Sequence, residues 1–256
     1  MEILAGSAEG LTVSDLARQL DEHKGVVSRT LSTLRTLGYV RENPLSRRYT
    51  LGLPLIALAF RFADMTGFPG VCVPILQELA DATGELVQLA VVEHRRVFFV
   101  AKAEGRDQRI RLASLVGQVA PLHATAAGKV YLASLSDDEA LALARAAGLR
   151  SFTRHTITTA ASLRRELRKV RRLGFATVEE EFIDGAGAVG VAVTLARERD
   201  RVVGALVLSG PLFRLPAARQ RELVPSLRAA ADRLGRVWPL NATVATAVAE
   251  PTHRSH

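Results

Sequence analysis

The sequence has 256 residues, of which 48% are hydrophobic and 5% aromatic, and 34 Lys and Arg against 26 Asp and Glu give a formal net charge of +8. This length suits one large domain or two ordinary ones, and the basic balance is compatible with a nucleic-acid partner without requiring one. The single cysteine, Cys72, excludes an internal disulfide and a cysteine-based zinc site.

Signals for a membrane, a secretory route or a metal are weak throughout the sequence. The longest apolar run, Leu51–Phe60, is far shorter than the about 20 residues that span a bilayer. The N-terminus lacks the pattern of a secretory signal, and the histidines lack metal-ligand spacing. We therefore expect a cytoplasmic protein without membrane association, bound metal or cofactor.

The first 52 residues predict two helices followed by a short hairpin. Thr12 is a suitable N-cap, with Asp15 three residues later, and a second helix is predicted over Lys24–Leu37, ending at Gly38. Two strands follow, Tyr39–Glu42 and Arg48–Leu51, joined by a polar turn. This order predicts a winged helix-turn-helix over residues 1–52.

Positive charge is concentrated in the second helix and the hairpin. Between Lys24 and Arg48, six basic residues stand against the single acid Glu42, whereas the rest of residues 1–66 is net acidic. Arg can bind guanine edges with two hydrogen bonds, and Ser can reach phosphates or bases. We predict an interface with double-stranded operator DNA formed by Lys24, Ser28, Arg29, Ser32, Arg35, Arg41, Arg47, Arg48 and Tyr49. The alternative is a helix-turn-helix that makes only protein contacts.

Beyond the hairpin, the pattern predicts a linker helix over residues 53–68 and an α+β domain over residues 69–238. Pro54 suits a first helical position. The domain's predicted helices cover residues 75–82, a segment beginning near 124, 137–147, 161–173 and 216–238. Its predicted strands cover residues 86–92, 97–103, 110–114, 176–180, 189–195 and 202–208. Residues 239–256 lack periodicity and are predicted to be disordered.

Two conspicuous motifs in this domain have a structural interpretation. Arg164–Arg172 carries six basic residues and one acid, with apolar residues at helical spacing; a solvated outer helix is favoured over a second DNA contact. Gly185–Gly190 matches G-x-G-x-x-G, but the following residues read as a strand. A dinucleotide site needs a helix there to hold the pyrophosphate, and we therefore reject it.

Enzymatic chemistry is weakly indicated. His123 lies near Thr125 and Lys129, but no Ser or Cys nucleophile motif accompanies them, and a structural histidine is favoured. The carboxylates of residues 179–181 lack nearby His or Asp ligands. We expect no catalytic residues.

Six short segments, in the correct order, resemble the IclR family of bacterial regulators. The most specific is Leu122–Lys129, LHATAAGK in this chain. The others are Leu11–Ala17, Leu34–Val40, Tyr49–Gly52, Glu180-Glu181 followed by Gly185, and Leu208–Pro211. The resemblance covers Met1 to Trp238.

The resemblance implies a winged helix-turn-helix, a linker helix and a GAF-like effector domain with an antiparallel sheet. It implies a homodimer or homotetramer on palindromic operators that responds to a small organic acid or aromatic metabolite, and we expect a repressor of a metabolic operon. Effector-binding positions carried over by motif are Ala126, Ala127, Glu179, Ala188, Val207 and Ser209. The alternatives are a GAF-like sensor or dimerisation protein with impaired DNA binding and, less favoured, a small-molecule enzyme.

The sequence departs from the family pattern at both predicted sites. Ala188 and Val207 stand where some members have cysteine and serine, and Val178 precedes Glu179 where many have an acid. Fewer polar partners predict a less polar effector, such as an aromatic or larger acyl acid. Met1–Ala5 keeps about one turn of a first helix that is longer in relatives. Either the true start lies upstream of Met1, or the DNA-binding domain is weakened by the loss of part of its core.

Overall fold

The computed structural model describes residues 1–105, 112–195 and 198–238, and the chain divides into an N-terminal unit, residues 1–66, and a C-terminal unit, residues 67–256. The predicted tail, residues 239–256, lies outside the described residues. The elements of the N-terminal unit are α1 Glu2–Ala5, α2 Val13–Leu20, α3 Lys24–Thr36, β1 Val40–Glu42, β2 Tyr49–Leu51 and α4 Pro54–Thr66. The predicted order of helix, turn, helix and hairpin is confirmed.

The N-terminal unit has a small apolar core to which every element before α4 contributes. The buried members of this core are Leu4, Leu16, Ala17, Val27, Leu31, Val40 and Tyr49. The predicted cap at the start of α2 is present as a reciprocal pair, in which Thr12 Oγ1 accepts from the Asp15 amide and Asp15 accepts from the Thr12 amide, both at 3.2 Å. Thr12 Oγ1 also donates to Asp15 Oδ2 at 2.8 Å, and this bond, together with the one from the Thr12 amide, holds the pKa of Asp15 below its usual value. The cap therefore fixes where α2 begins.

The hairpin returns to α3 through a close contact between two glycines. Gly38 ends the α3 segment with φ +76°, and a Cβ placed on Gly52 would lie 1.9 Å from the Gly38 carbonyl oxygen. Only glycine fits such a backbone approach. This backbone contact therefore brings the wing, which we define as residues 40–51, close to the end of α3.

The α4 helix carries apolar side chains that no residue of its own unit covers. None of its residues is buried, and Phe60 and Met65 are 70% and 78% exposed. Among the described residues, no single helix meets the length and hydropathy criteria for crossing a membrane; α4 and residues 70–83 do so only when taken together as a bent pair.

The C-terminal unit is a five-stranded antiparallel sheet with helices on both faces. Its helices are α5 Val73–Thr83, α6 Ala126–Ala133, α7 Asp137–Ala147, α8 Ala160–Leu173 and α9 Ala217–Val237. Its strands are β3 Leu86–Glu93, β4 Arg96–Ala103, β5 Ala176–Glu179, β6 Ala186–Leu195 and β7 Glu198–Pro211. The strand order is β4-β3-β7-β6-β5. One face packs on α5 and α9, and the other packs on α6, α7 and α8, so the expected α+β class is confirmed.

One predicted strand is wrong. Residues 112–114 of the predicted strand 110–114 lie in no strand, and its first two residues are outside the described residues. The Leu115 amide donates instead to the side-chain oxygen of Gln88, at 2.8 Å. A side chain in the sheet thus takes the place of a neighbouring strand.

The basic helix α8 is an outer helix of the C-terminal unit. Leu163, Leu167 and Val170 are buried against the unit, while Arg171 donates to the carbonyl oxygens of Ala133 and Leu135, each at 2.9 Å. These carbonyls belong to the last turn of α6 and to the residues just after it, where positive charge is favourable. The charges of α8 therefore have a structural role in its packing.

Candidate functional site: a nucleic-acid interface and an apolar cavity

The α3 helix presents one polar face to solvent. Val27 and Leu31 are buried, with 5% and 4% of their surface exposed. The exposed side chains on the helix include four of the predicted interface residues before its last turn: Lys24, Ser28, Arg29 and Ser32. This division between a buried face and a basic exposed face is what a recognition helix requires.

The end of α3 and the wing are joined by a carboxylate between two arginines. Glu42 on β1 is 8% exposed at its side chain and lies 2.5 Å from Arg35 Nη1 and 3.0 Å from Arg47 Nη1. Arg35 and Arg47 keep 51% and 74% of their side chains exposed. Glu42 therefore holds both guanidinium groups together. Arg41 is also exposed, but as the preceding residue of β1 it lies on the other face of the strand.

The last two predicted interface residues face the protein. Arg48 is half-buried and donates to the Gly10 carbonyl oxygen at 2.8 Å. Tyr49 is 7% exposed and belongs to the core, where burial and a hydrogen bond to Glu42 raise the pKa of its phenol. Neither side chain joins the exposed basic face. Arg48 is held by the Gly10 carbonyl oxygen, and the alternation of side chains along β2 turns Tyr49 into the core.

A cavity of about 50 Å³ lies in the C-terminal unit on the sheet face covered by α6. The sheet supplies its floor through Gln88, Phe99, Val178, Ala186, Gly187, Ala188, Val207 and Ser209. Its walls come from Ala124, Thr125 and Ala126 before and in α6, from Leu112, Ala113 and Leu115, and from Phe182 and Ile183. The lining is almost entirely apolar, with Gln88, Thr125 and Ser209 as the polar exceptions.

The N-terminus of α6 lies at this cavity, where Thr125 and Ala126 form part of the lining. Thr125 is the N-cap, accepting from the Gly128 amide at 3.1 Å and donating to the Pro121 carbonyl oxygen at 2.9 Å. Within the part of the chain that the structure describes, the amides of Ala126 and Ala127 have no recorded acceptor. A helix start with two unused N–H groups is favourable for an anion.

A glycine lets α6 approach the sheet closely. A Cβ placed on Gly190 of β6 would lie 3.1 Å from the Ala126 Cβ and 3.3 Å from Val207 Cγ2. Gly190 is the last glycine of the rejected G-x-G-x-x-G motif, and it lies within strand β6 rather than before a helix. The last glycine of the motif therefore allows α6 to pack closely on β6. Because a strand occupies the place where a nucleotide site needs a helix, the structure agrees with the rejection of such a site.

A buried charge cluster lies one turn into α6. Lys129 is fully buried, and its Nζ lies 2.5 Å from Glu181 Oε1, 3.6 Å from Glu166 Oε1 and 3.3 Å from the Thr177 carbonyl oxygen. Burial raises the pKa of Glu181 despite the opposing effect of Lys129. The cluster joins α6, α8 and the segment that follows β5.

That segment, residues 180–185, forms one wall of the cavity, and we call it the wall segment. Its outer side is held by two hydroxyl groups: Thr153 Oγ1 donates to the Glu180 carbonyl oxygen at 2.5 Å, and Thr156 Oγ1 donates to the Glu181 carbonyl oxygen at 2.6 Å. Phe182 packs edge-on against Phe152 with centroids 4.9 Å apart.

The cavity brings together four of the six predicted effector residues. Ala126, Ala188, Val207 and Ser209 line it, whereas Ala127 is buried behind the α6 start and Glu179 is exposed away from it. Sequence reasoning missed Gln88, whose only signal was an amide inside the apolar run Leu86–Val92.

The residues considered for catalysis have structural partners. His123 Nε2 lies 2.9 Å from the Arg150 carbonyl oxygen, and Lys129 is occupied by Glu181. Glu180 accepts from the Gly185 amide at 2.8 Å. Among the described residues, no three or more His, Cys, Asp or Glu side chains are grouped to hold a metal.

A basic recognition helix with a wing, followed by an α+β domain that contains an apolar cavity, is typical of a DNA-binding transcriptional regulator. Residues 1–44 match the family model described as "IclR helix-turn-helix domain". Residues 68–236 match the family model described as "Bacterial transcriptional regulator IclR C-terminal". The chain therefore belongs to the IclR family of transcriptional regulators, as the resemblance of its short segments indicated.

Relatives cover nearly the same length. The glycerol operon regulatory protein of Streptomyces griseus is 32% identical over 92% of each chain. The acetate operon repressor of Salmonella typhimurium is 27% identical over 87% of this chain and 81% of its own. Both relatives are regulators of transcription and not enzymes.

The C-terminal unit also resembles a solved ligand complex. The inducer-binding domain of the PobR transcription factor from Acinetobacter, a double mutant bound to 3-hydroxybenzoic acid, aligns with a TM-score of 0.61. It is 26% identical, and the alignment covers 66% of this chain and 98% of that domain.

Proposed function

We propose that this chain is a ligand-responsive repressor that binds operator DNA through α3 and the wing and releases it when a small organic acid occupies the cavity. The observation that carries the proposal is the exposed basic face of α3, backed by a buried apolar face. The Salmonella relative is named a repressor, which supports repression over activation, and we expect a cytoplasmic location from the role.

The proposed DNA contacts divide into two groups. Lys24, Ser28, Arg29 and Ser32 on α3 are placed to enter the major groove. Arg35, Arg41 and Arg47 extend the basic surface to the wing, where contacts with phosphates or the minor groove are common. Arg48 and Tyr49 are not among the proposed DNA contacts, because their side chains are engaged inside the unit.

Replacing Arg29 with Ala is expected to weaken operator binding by about 1–3 kcal/mol, because a base-reading arginine contributes about this much discrimination. Gel shift or fluorescence anisotropy with the chain's own upstream intergenic DNA at fixed salt measures the change. Arg145→Ala, at an exposed arginine on α7 of the C-terminal unit, is the matched control. Equal affinities of the two variants would remove Arg29 from the interface. Absence of specific binding by the unsubstituted chain would favour the alternative of a sensor or dimerisation protein.

The proposed effector is a small carboxylic acid with an apolar or aromatic body. Its carboxylate is placed at the unused amides of Ala126 and Ala127, and its body contacts the apolar floor of Val178, Ala188 and Val207. The cavity of about 50 Å³ is smaller than the roughly 150 Å³ that accommodates benzene in an apolar core. An aromatic acid therefore requires a wall to move outward.

We expect carboxylic acids to raise the Tm of the chain and the corresponding amides to leave it unchanged. Thermal unfolding with benzoate against benzamide, and with pyruvate against pyruvamide, separates the carboxylate from the body. A rise in Tm with the acids alone supports the helix N-terminus as the site. Stabilisation by the amides at equal concentration contradicts it, and stabilisation by pyruvate but not benzoate contradicts a less polar effector.

We further propose that the chain forms a homodimer or homotetramer through α4. Apolar side chains exposed together on one helix are typical of an interaction surface, and α4 carries Ile56, Phe60, Phe62 and Met65 at 53–78% exposure. Phe60→Glu is expected to lower the molar mass measured by light scattering. Arg61→Glu, on the same helix, is the control. An unchanged mass for Phe60→Glu would place the interface elsewhere.

A further inference from the structure

Gln88 is a buried amide in the middle of an apolar strand. It is 2% exposed, and its strand neighbours Val87 and Leu89 are fully buried. Burying an amide is unfavourable unless its groups are hydrogen-bonded. The partners of Gln88 therefore indicate what the residue does.

The carbonyl end of Gln88 is fixed by the loop before α6. Gln88 Oε1 accepts from the Leu115 amide at 2.8 Å and from Ser114 Oγ at 3.4 Å. Because the loop holds the side-chain oxygen, the amide nitrogen is directed towards Ser209 Oγ on β7. Gln88 and Ser209 both line the cavity.

The nitrogen end is poorly satisfied. An amide nitrogen carries two N–H donors, and among the described residues Gln88 Nε2 has one recorded acceptor, Ser209 Oγ, at 3.5 Å. This distance is at the outer limit of a hydrogen bond. Ser209 is itself 7% exposed, and its hydroxyl has no recorded acceptor within the described ranges. Two donors therefore face the cavity without a good partner.

These donors lie near the start of α6. Gln88 is the register partner of Val207, and Val207 Cγ2 and the Ala126 Cβ both lie within 3.3 Å of the position that a Gly190 side chain would take. A ligand whose carboxylate occupies the α6 amides thus places a neighbouring atom close to Gln88 and Ser209.

We propose that Gln88 is a specificity-determining residue of the effector site, donating with Ser209 to an oxygen of the effector other than its α6-bound carboxylate. This inference rests on the proposed function. It narrows the ligand class to acids that carry a second oxygen, an oxo or hydroxyl group, over acids of the same shape that lack it. A site with buried donors discriminates strongly against a ligand that leaves them unpaired.

The test compares pairs of acids that differ in that oxygen. Calorimetric titration of the full chain uses 3-hydroxybenzoate against benzoate and pyruvate against isobutyrate. In at least one pair, the oxygen-bearing acid is expected to bind at least tenfold more tightly. Gln88→Met is expected to reduce this ratio to below threefold while leaving the affinity for the unsubstituted acid within threefold.

Two further variants keep the test independent of folding. Gln77→Met repeats the substitution on α5 in the same unit and is expected to keep the ratio. Ser209→Ala removes the second donor and is expected to lower the ratio while preserving the loop contact of Gln88. A ratio that survives in folded Gln88→Met, or in Ser209→Ala if Gln88→Met fails to fold, overturns the assignment of Gln88 but leaves the effector site in place. Failure of every acid to bind overturns both this inference and the proposed effector class.

Discussion

Lys129→Met is expected to lower the free energy of unfolding of the C-terminal unit by about 3–5 kcal/mol, because removing one partner of a buried ion pair leaves the other charge uncompensated. The stranded group is Glu181, whose side chain is 12% exposed. Glu166 is less affected, since Lys169 remains 3.7 Å from its second oxygen. Urea unfolding followed by the fluorescence of Trp238, the single tryptophan, reports this unit.

The same variant is expected to recover at low pH. Burial already raises the pKa of Glu181, and loss of Lys129 raises it further. A carboxyl whose pKa is higher in the folded than in the unfolded chain favours folding below the unfolded pKa, and this advantage is lost as pH rises through the folded pKa. The difference in stability from the unsubstituted chain therefore narrows as pH falls towards the unfolded pKa of Glu.

Two variants make this prediction specific to the buried charge. Lys102→Met breaks the exposed pair with Glu104, at 2.7 Å, and is expected to cost about 0–1 kcal/mol. Lys129→Met combined with Glu181→Leu removes both buried charges and is expected to regain most of the loss. A Lys129→Met chain as stable as Lys102→Met would mean that the cluster contributes nothing to stability.

Leu31→Ala is expected to destabilise the N-terminal unit by about 2–5 kcal/mol and to abolish operator binding. Leu31 is 4% exposed and packs in a core with only seven buried members. Small domains have little stability in reserve, so a cavity under the recognition helix is expected to leave the unit largely unfolded. Helical circular dichroism at low denaturant measures the loss.

The C-terminal unit provides an internal standard for Leu31→Ala. Its Trp238 is 8% exposed and packs against Phe68 in a tilted arrangement, with ring centroids 5.6 Å apart. Because both residues belong to the C-terminal unit, the fluorescence transition of Trp238 is expected to stay unchanged. Leu37→Ala makes the same substitution at a 58% exposed position after α3 and is expected to preserve DNA binding. Tight operator binding by Leu31→Ala would show that the core tolerates the cavity.

Local signals predicted most of the fold. The Thr12–Asp15 cap, the glycine after α3 and the alternation of the strands are all decided by neighbouring residues, and the helices and most strands were predicted within a few residues of their observed bounds. The exception is the strand predicted to include residues 112–114. The conformation of this segment depends on the hydrogen bond from the Leu115 amide to Gln88, which is more than 20 positions earlier. No local pattern reveals a strand-like segment that binds a side chain instead of a strand.

The candidate sites were predictable only in part, for the same reason. Exposed basic residues on α3 follow from helical spacing, but the place of Tyr49 depends on which face of the hairpin meets the core. Lys129 and Glu181 are 52 positions apart, and their pairing requires the fold. The position of Gln88 in the cavity similarly depends on sheet register.

The wall segment has a consequence for the rate of ligand exchange. It is attached by the Thr153 and Thr156 hydroxyl groups and by the ion pair of Glu181 with Lys129 rather than by a ladder of strand hydrogen bonds. Regions that lack such a ladder open at a lower free energy than the sheet. We expect the wall segment's amides to exchange with deuterium earlier than those of β6 and β7. Thr156→Val should then speed effector association and dissociation together, leaving the affinity nearly constant.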